Sequence, residues 1–285
     1  MKVLNVGNKK FELGKKTIIM GVLNVTPDSF SDGGKFYHMD DAIDRAVELE
    51  KQGADIIDIG GESTRPGAKP VSVDEEINRV IPVVSELVKS LDIPLSVDTY
   101  KAKVAEKALN LGASMINDIT SFAEDEKLAK VVADFDVPVC LMHMKGRPFN
   151  MQINPHYHDV VKEVHDFLKE RKTFAISQGI KSERIIIDPG IGFGKRTGEG
   201  IEDNCEILRR LSELRDIDVP ILVGASRKTF IGNVSGGKKP LAATDRLEGS
   251  LAAASIAVAN GADIVRVHDV KETRRCIDII DCILR

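Results

Sequence analysis

Eight short runs of β-branched and apolar residues recur along the chain, and each closes on a polar or charged residue: Asn24, Asp58, Asp98, Asn117, His143, Asp188, Ser226 and His268. Stretches with helical periodicity fill the gaps between them. Strand alternating with helix throughout argues for a parallel sheet. Eight such units favour closure into a barrel over an open doubly wound sheet, which usually has fewer strands and a glycine-rich turn after the first. In a closed (β/α)8 barrel all eight strand ends share one rim, so residues far apart in sequence converge there. The expected fold is therefore an α/β (β/α)8 TIM barrel, with the 285 residues forming one domain.

The units place as follows. Strands are expected at 17–24, 55–60, 94–98, 114–118, 137–143, 184–188, 220–226 and 262–269. Their helices are expected at about 39–52, 72–90, 102–111, 126–134, 157–178, 205–214, 244–260 and 271–284. Gly53 and Gly112 each follow a helix as a C′ residue. Gly-Ala precedes the second, fourth and eighth strands, a weak internal repetition that fixes the phase of the units. Ahead of the barrel, 3–6 and 10–13 flank Gly7-Asn8 and read as a hairpin that caps the barrel bottom.

Composition excludes several classes. Net charge is −4 and no basic cluster is long enough to mark a nucleic-acid or membrane footprint. Trp is absent, which removes the best stacking platform for single strands. No apolar run reaches membrane length and no long apolar segment leads the chain, so a cytoplasmic location is the default expectation. The four cysteines, at 140, 205, 276 and 282, form no C-x-x-C pair, so a structural zinc site is not expected.

The chemistry lies at the strand ends. An amide at Asn24 can serve a hard cation such as Mg²⁺ alongside phosphates. The loop after the first strand, NVTPDSFSDGG at 24–34, has the composition of a mobile lid and is expected to be unordered without ligand; a solvated surface loop is the plainer alternative. The loop after the second, GGESTRPGA at 60–68, offers hydroxyls and Arg65 to an anion or a polar ring, or is a simple turn before a helix. Asp98 and Asp188 can accept paired N–H donors, and Asn117 can both donate and accept; together they suit a fused nitrogen heterocycle, although a lone strand-end Asp often only caps a helix. The glycine-rich loop at 188–195 lacks Walker spacing and presents Phe193. Lys228, directly after Ser226 and Arg227, can donate to a ring carbonyl or offset negative charge. Arg266 and His268 stand two apart on one side of the last strand and suit a pyrophosphate. His38, His156, His158 and His165 carry no role in this reading.

In this order the segments MGVLNVTPDSFSDGG at 20–34, DIGGESTRPGA at 58–68, SVDT at 96–99, NDI at 117–119, DPGIGFGK at 188–195, GASRK at 224–228 and RVHD at 266–269 closely resemble the dihydropteroate synthase family of pterin-binding barrels. The resemblance covers Ile18 to Asp269. It implies a transferase that joins 6-hydroxymethyl-7,8-dihydropterin pyrophosphate to p-aminobenzoate, with Mg²⁺ as cofactor and small molecules, not nucleic acid or membrane, as partners. It further implies that Asp98, Asn117, Asp188 and Lys228 bond the pterin and that Met142 and Arg266 line its faces. Asn24 with Mg²⁺, and Arg266 with His268, would hold pyrophosphate. Thr64, Pro66, Phe193, Ser226 and Lys228 would form the p-aminobenzoate side, with Arg65 in the same loop. A homodimer through the C-terminal helices is also implied.

Two segments depart from the family pattern: the long RTGEGIEDN after Lys195, and HMKGRPFNMQ at 143–152. They bear on substrate affinity and sulfonamide response more than on reaction type. A pterin-binding methyltransferase would share the carboxylates and amide but would not need the first loop or the basic set at 226–228 and 266–268. A non-catalytic pterin binder would be favoured by loss of Lys228, Asp98 or the first loop, and all are present.

Overall fold

Each barrel strand carries its side chains with period two, and that alternation builds both the core and the site. The computed structural model describes residues 2–26, 35–197, 202–237 and 239–285. A two-stranded antiparallel hairpin, β1 (Val3–Val6) and β2 (Lys9–Glu12), precedes eight parallel strands: β3 (Ile18–Asn24), β4 (Ile56–Gly60), β5 (Leu95–Asp98), β6 (Met115–Asp118), β7 (Val139–Met142), β8 (Ile185–Asp188), β9 (Leu222–Val223) and β10 (Ile264–Val267). Their order is β8-β7-β6-β5-β4-β3-β10-β9, and an Ile187–Ile221 bridge joins the two ends into a closed barrel.

The helices are α1 (Lys35–Lys51), α2 (Val73–Ser90), α3 (Ala102–Leu111), α4 (Lys127–Phe135), α5 (Val160–Ser177), α6 (Asp203–Arg209), α7 (Thr229–Ser235), α8 (Leu247–Ala259) and α9 (Val270–Leu284). Helix starts are set locally: Ser72 caps α2 by accepting from Glu75 N, and Asp159 caps α5 by accepting from Val161 N and Lys162 N. Gly53 and Gly112 take positive φ where α1 and α3 turn back, as their positions predict. Among the described residues no helix is long and apolar enough to cross a membrane.

One set of strand side chains faces the helices in the main core, Ile19, Ile57, Val97, Ile116, Leu141, Ile187, Val223 and Val265 among them. The other set fills the barrel: Ile18, Met20, Ile56, Met115, Cys140, Ile186, Leu222 and Ile264 form one cluster, and Leu4 and Val6 of the hairpin complete it. The hairpin thus plugs the bottom. Two residues further up the strands, the same inward face passes from the barrel filling to the rim: Ile56 leads to Asp58, Ser96 to Asp98, Met115 to Asn117, Cys140 to Met142, Ile186 to Asp188, Leu222 to Gly224 and Ile264 to Arg266.

The structure corrects several boundaries. The second hairpin strand is 9–12 rather than 10–13, because Val6 pairs with Lys9 across the Gly7-Asn8 turn. The seventh barrel strand keeps only Leu222–Val223, since the chain leaves the sheet at Gly224 to begin the 224–228 turn. Helix α7 was not expected; it lies inside the loop after that strand and buries Phe230 and Ile231. The expected 205–214 helix is a shorter α6 followed by a 3₁₀ segment, Leu211–Ile217. Asp58 stands inside β4 rather than at its end. Most of the first loop, at 27–34, and part of the long segment after Lys195, at 198–201, lie outside the described residues.

Candidate active site

The inward residues of the upper rim line a cleft that opens to solvent. Asp98, Asn117, Asp188, Lys228 and Arg266 supply its polar wall. Met142, Ile119, Ile191 and Phe193 supply its apolar wall, and Thr64 reaches in from the loop after β4. This mix of a flat apolar surface with a few converging polar groups suits a heterocyclic ligand.

Asp58 organises the polar wall from below. It is fully buried, and its Oδ2 accepts from Arg266 Nε at 2.6 Å and from Asn117 Nδ2 at 3.0 Å. A second guanidinium nitrogen, Arg266 Nη2, donates to Asp98 Oδ2 at 2.8 Å. With its amide nitrogen turned to Asp58, Asn117 presents its oxygen to the cavity as an acceptor. Sequence reasoning missed Asp58 as a site residue although it ended one of the eight runs. Its parity with Asp98 and Asn117 was the available signal.

Burial raises the Asp98 pKa, and the Arg266 charge opposes the shift. Asp188 is raised to about 6, again chiefly by burial, against its hydrogen bond from Gly190 N (2.7 Å) and the Lys228 charge. Burial, then Arg266, lowers Lys228 to about 8, while Asp188 and Asp98 resist. Lys228 Nζ lies 4.0 Å from the Phe193 ring centroid, a cation–π contact. The chain at Gly192 (φ +83°) passes so close that an added Cβ would sit 3.1 Å from Lys228 Cδ.

Ser226 and His268 stand beside this cavity as a pair. The His268 backbone N–H donates to Ser226 Oγ at 3.2 Å, and Oγ lies 3.1 Å from His268 Nδ1, to which the hydroxyl donates when Nδ1 is unprotonated. Nε2 then carries the ring proton and is the donor available to a ligand. Burial, with Arg266 and Arg227 nearby, lowers His268 to about 3, so the ring is neutral at pH 7 in the ligand-free protein. Arg227 is turned away by its positive φ and pairs with Asp269.

Not every expected residue converges. Arg65 and Pro66 are exposed and do not line the cavity. His143 follows the inward Met142 and so points outward, buried against the Phe167 ring and bonded to Lys195. Lys195, which sequence reasoning passed over, is fully buried; it donates to the carbonyls of Gly190 and Phe193 at 3.0 Å each and thereby fixes the glycine-rich loop behind Phe193. Burial lowers its pKa to about 7.

Asn24 is half-buried at the end of β3. A Cβ on Gly60 would lie 3.8 Å from both Asn24 Oδ1 and Asp98 Oδ2, so that glycine keeps the space between them open. One neutral oxygen donor fits a hard cation that takes its remaining oxygens from water and phosphate. Among the described residues no group of three or more His, Cys, Asp or Glu side chains could hold a metal.

The family model described as pterin binding enzyme matches residues 20–268. The dihydropteroate synthase of Clostridium beijerinckii is 46% identical over 283 residues, 99% of this chain and 100% of that protein. The chain belongs to the dihydropteroate synthase family. Two solved family members extend the likeness to structure. The Xanthomonas albilineans dihydropteroate synthase with 4-aminobenzoic acid superposes with a TM-score of 0.90 at 43% identity, covering 99% of this chain and 98% of that one. The same organism's enzyme in complex with 7,8-dihydropteroate gives 0.86 at 40% identity, with the same coverage. Family membership settles the choice between a synthase and a methyltransferase in favour of the synthase.

Proposed function

We propose that this rim joins 6-hydroxymethyl-7,8-dihydropterin pyrophosphate to p-aminobenzoate, releasing 7,8-dihydropteroate and pyrophosphate, with the following division of labour. The observation that carries it is the donor and acceptor set around one cavity. Asp98, Asp188 and the Asn117 oxygen accept from the N–H edge of the pterin, and Lys228 donates to its ring carbonyl. Met142 and Arg266 pack against the ring faces. Arg266, with His268 Nε2–H, receives the pyrophosphate. Thr64, Phe193 and Ser226 border the amine; Arg65 and Pro66, exposed in this structure, complete that side only if their loop moves inward.

Asn24 would hold Mg²⁺, which would supply positive charge to the departing pyrophosphate. Breaking the carbon–oxygen bond leaves positive charge at the pterin methylene carbon, delocalised into the ring. The Asp98 carboxylate stabilises it, the neutral aromatic amine attacks, and the protonated nitrogen so formed gives up its proton to the released pyrophosphate or to water. No covalent enzyme intermediate is required; positioning and preset charge supply the rate. In assembly, the exposed Ile256 of α8 and Ile279 and Ile283 of α9 support pairing of two copies through these helices.

Measuring pyrophosphate release from the dihydropterin pyrophosphate and Mg²⁺, with and without p-aminobenzoate, tests the reaction. Amine-dependent release with dihydropteroate formed is the expected result; pterin binding without release would return the chain to a non-catalytic binder. His268→Ala is expected to weaken the pyrophosphate substrate about tenfold, the value of one hydrogen-bond donor. A bare pterin should bind as before. Equal loss for both ligands in calorimetry would contradict the role given to His268.

The pH profile is a further test. Below the pKa values of Asp98, about 7, and Asp188, about 6, protonation removes carboxylate acceptors; above the Lys228 pKa, about 8, deprotonation removes a charged donor. The kcat/KM for the pterin substrate reports free-enzyme groups and should therefore be bell-shaped, falling on either side of that window. A flat profile between pH 5 and pH 9, on the order of one unit beyond each limb, would show that none of these groups acts in the assigned state.

A further inference from the structure

The loop after β4 is gathered at its base by a buried ion cluster that the reaction scheme does not use. Lys101, three residues beyond Asp98, donates to Glu62, to Glu76 and to the Val71 carbonyl, the last at 2.7 Å. Glu62 in turn accepts from the Val71 backbone N–H at 3.3 Å. Both ends of the 62–71 segment therefore meet at one ammonium group, and Thr64 lies in the span between them. The cluster is dry: the Lys101, Glu62 and Glu76 side chains are 9%, 8% and 1% exposed. Tyr100 Oη adds a donor to Glu62 at 3.2 Å. Burial works against the Lys101 charge, but the two carboxylates outweigh it and its pKa lies above the ordinary value.

An outer tie holds the far side of the loop, where Gly67 N–H donates to Pro148 O at 3.0 Å. That carbonyl belongs to the 143–152 segment that departs from the family pattern. At the base, the carbonyl of Gly61 accepts from Arg79 of α2 at 2.9 Å. The remaining freedom of the Thr64 side is therefore set chiefly by the Glu62–Lys101 contact. Long charged side chains are rarely this buried without such a partner, and a buried pair of this kind is suited to fixing one geometry.

We infer that Glu62 and Lys101 are positioning residues for the amine: they close the neck of the 62–71 loop and so hold Thr64 at the p-aminobenzoate side, while leaving the pterin contacts to Asp98, Asn117 and Asp188. The inference rests on the reading of Thr64 as an amine-side residue.

Glu62→Gln is the variant of choice, because Lys101 keeps its pair with Glu76 and no buried ammonium is left without a carboxylate. The full-length enzyme is assayed with p-aminobenzoate varied at saturating pterin substrate, and bare pterin is titrated by calorimetry. The amine KM is expected to rise at least tenfold, since displacement by about 1 Å can cost a hundredfold. The kcat should stay within about threefold and pterin affinity within about twofold, the split expected of lost uniform binding. The backbone amides of Ser63–Arg65 and Gly67–Lys69 should exchange hydrogen faster. Tyr100→Phe, which removes one donor only, should move the amine KM in the same direction by less. Thr64→Ala separates the two layers of the argument. If it raises the amine KM and Glu62→Gln does not, the neck has no positioning role. If neither variant moves it, the loop is not on the amine side and the inference falls with that reading. An equal loss of amine and pterin binding in Glu62→Gln would overturn it as well.

Discussion

Replacing Lys228 by alanine should lower kcat/KM about a thousandfold, ~4 kcal/mol, the magnitude seen when a preset donor is removed from an active site. The melting temperature should stay level or rise. The two expectations share one cause. Burial lowers the Lys228 pKa to about 8, so the folded protein holds this charge less readily than the unfolded chain does. The sign follows from linkage. Below pH 8 the lysine is charged in both states, and its unfavourable burial weighs on the fold in full. That weight is relieved as pH rises from about 8 toward the unfolded value of about 10.4. Alanine removes it at neutral pH. Steady-state kinetics and a thermal melt at pH 7 on the same preparation, about one unit below that limb, check both expectations. Near-normal kcat/KM would show that the pterin carbonyl lies elsewhere. A large fall in melting temperature would show that Lys228 serves packing, through its contact with Phe193, more than ligand binding.

The barrel was legible because its pattern is repeated. Each strand and helix follows from a local period, and closure follows from there being eight units. The rim was legible for the same reason: Asp98, Asn117, Asp188, Lys228 and Arg266 all reach one cavity, as their strand-end positions predict. What the sequence hid depends on direction and on partners. Strand-end position put His143 on the rim, but parity turns it outward behind Met142. Lys195 ends a glycine-rich loop, and only the folded chain brings the carbonyls of Gly190 and Phe193 to its ammonium. Helix α7 is seven residues long and sits inside a functional loop, too short for a period to declare itself. The Glu62–Lys101–Glu76 cluster joins residues up to 39 apart, and no local signal marks it. The family resemblance added ligands to a site already outlined by the strand ends. It did not reveal Asp58, whose importance lies in whom it holds.

Asp58→Asn is expected to produce the second large effect, with the opposite sign in stability. The substitution preserves shape and removes one charge. Asp58 Oδ2 receives both Arg266 Nε and Asn117 Nδ2, and Oδ1 is buried with no hydrogen-bond partner. An amide at this position must either point its NH₂ at those donors or bury it unpaired. Either choice leaves a donor unsatisfied in a dry site, and Asp98 becomes the one charged partner that Arg266 retains. Breaking a buried pair in this way costs about 3 kcal/mol, so the melting temperature should fall by roughly 6–12 °C. The kinetic effect should be greater than the loss of stability alone implies. Freed from Asp58, Asn117 can rotate its amide and present N–H where the pterin needs an acceptor, while Arg266 leaves the position that both a ring face and a pyrophosphate require. Pterin affinity should drop a hundredfold or more, about 3 kcal/mol. At saturating pterin the amine KM should change much less. Loss of stability with pterin affinity retained would make Asp58 a structural residue only. Loss of both, set against Lys228→Ala with its activity gone and its stability intact, would separate the carboxylate that builds the wall from the lysine that works in front of it.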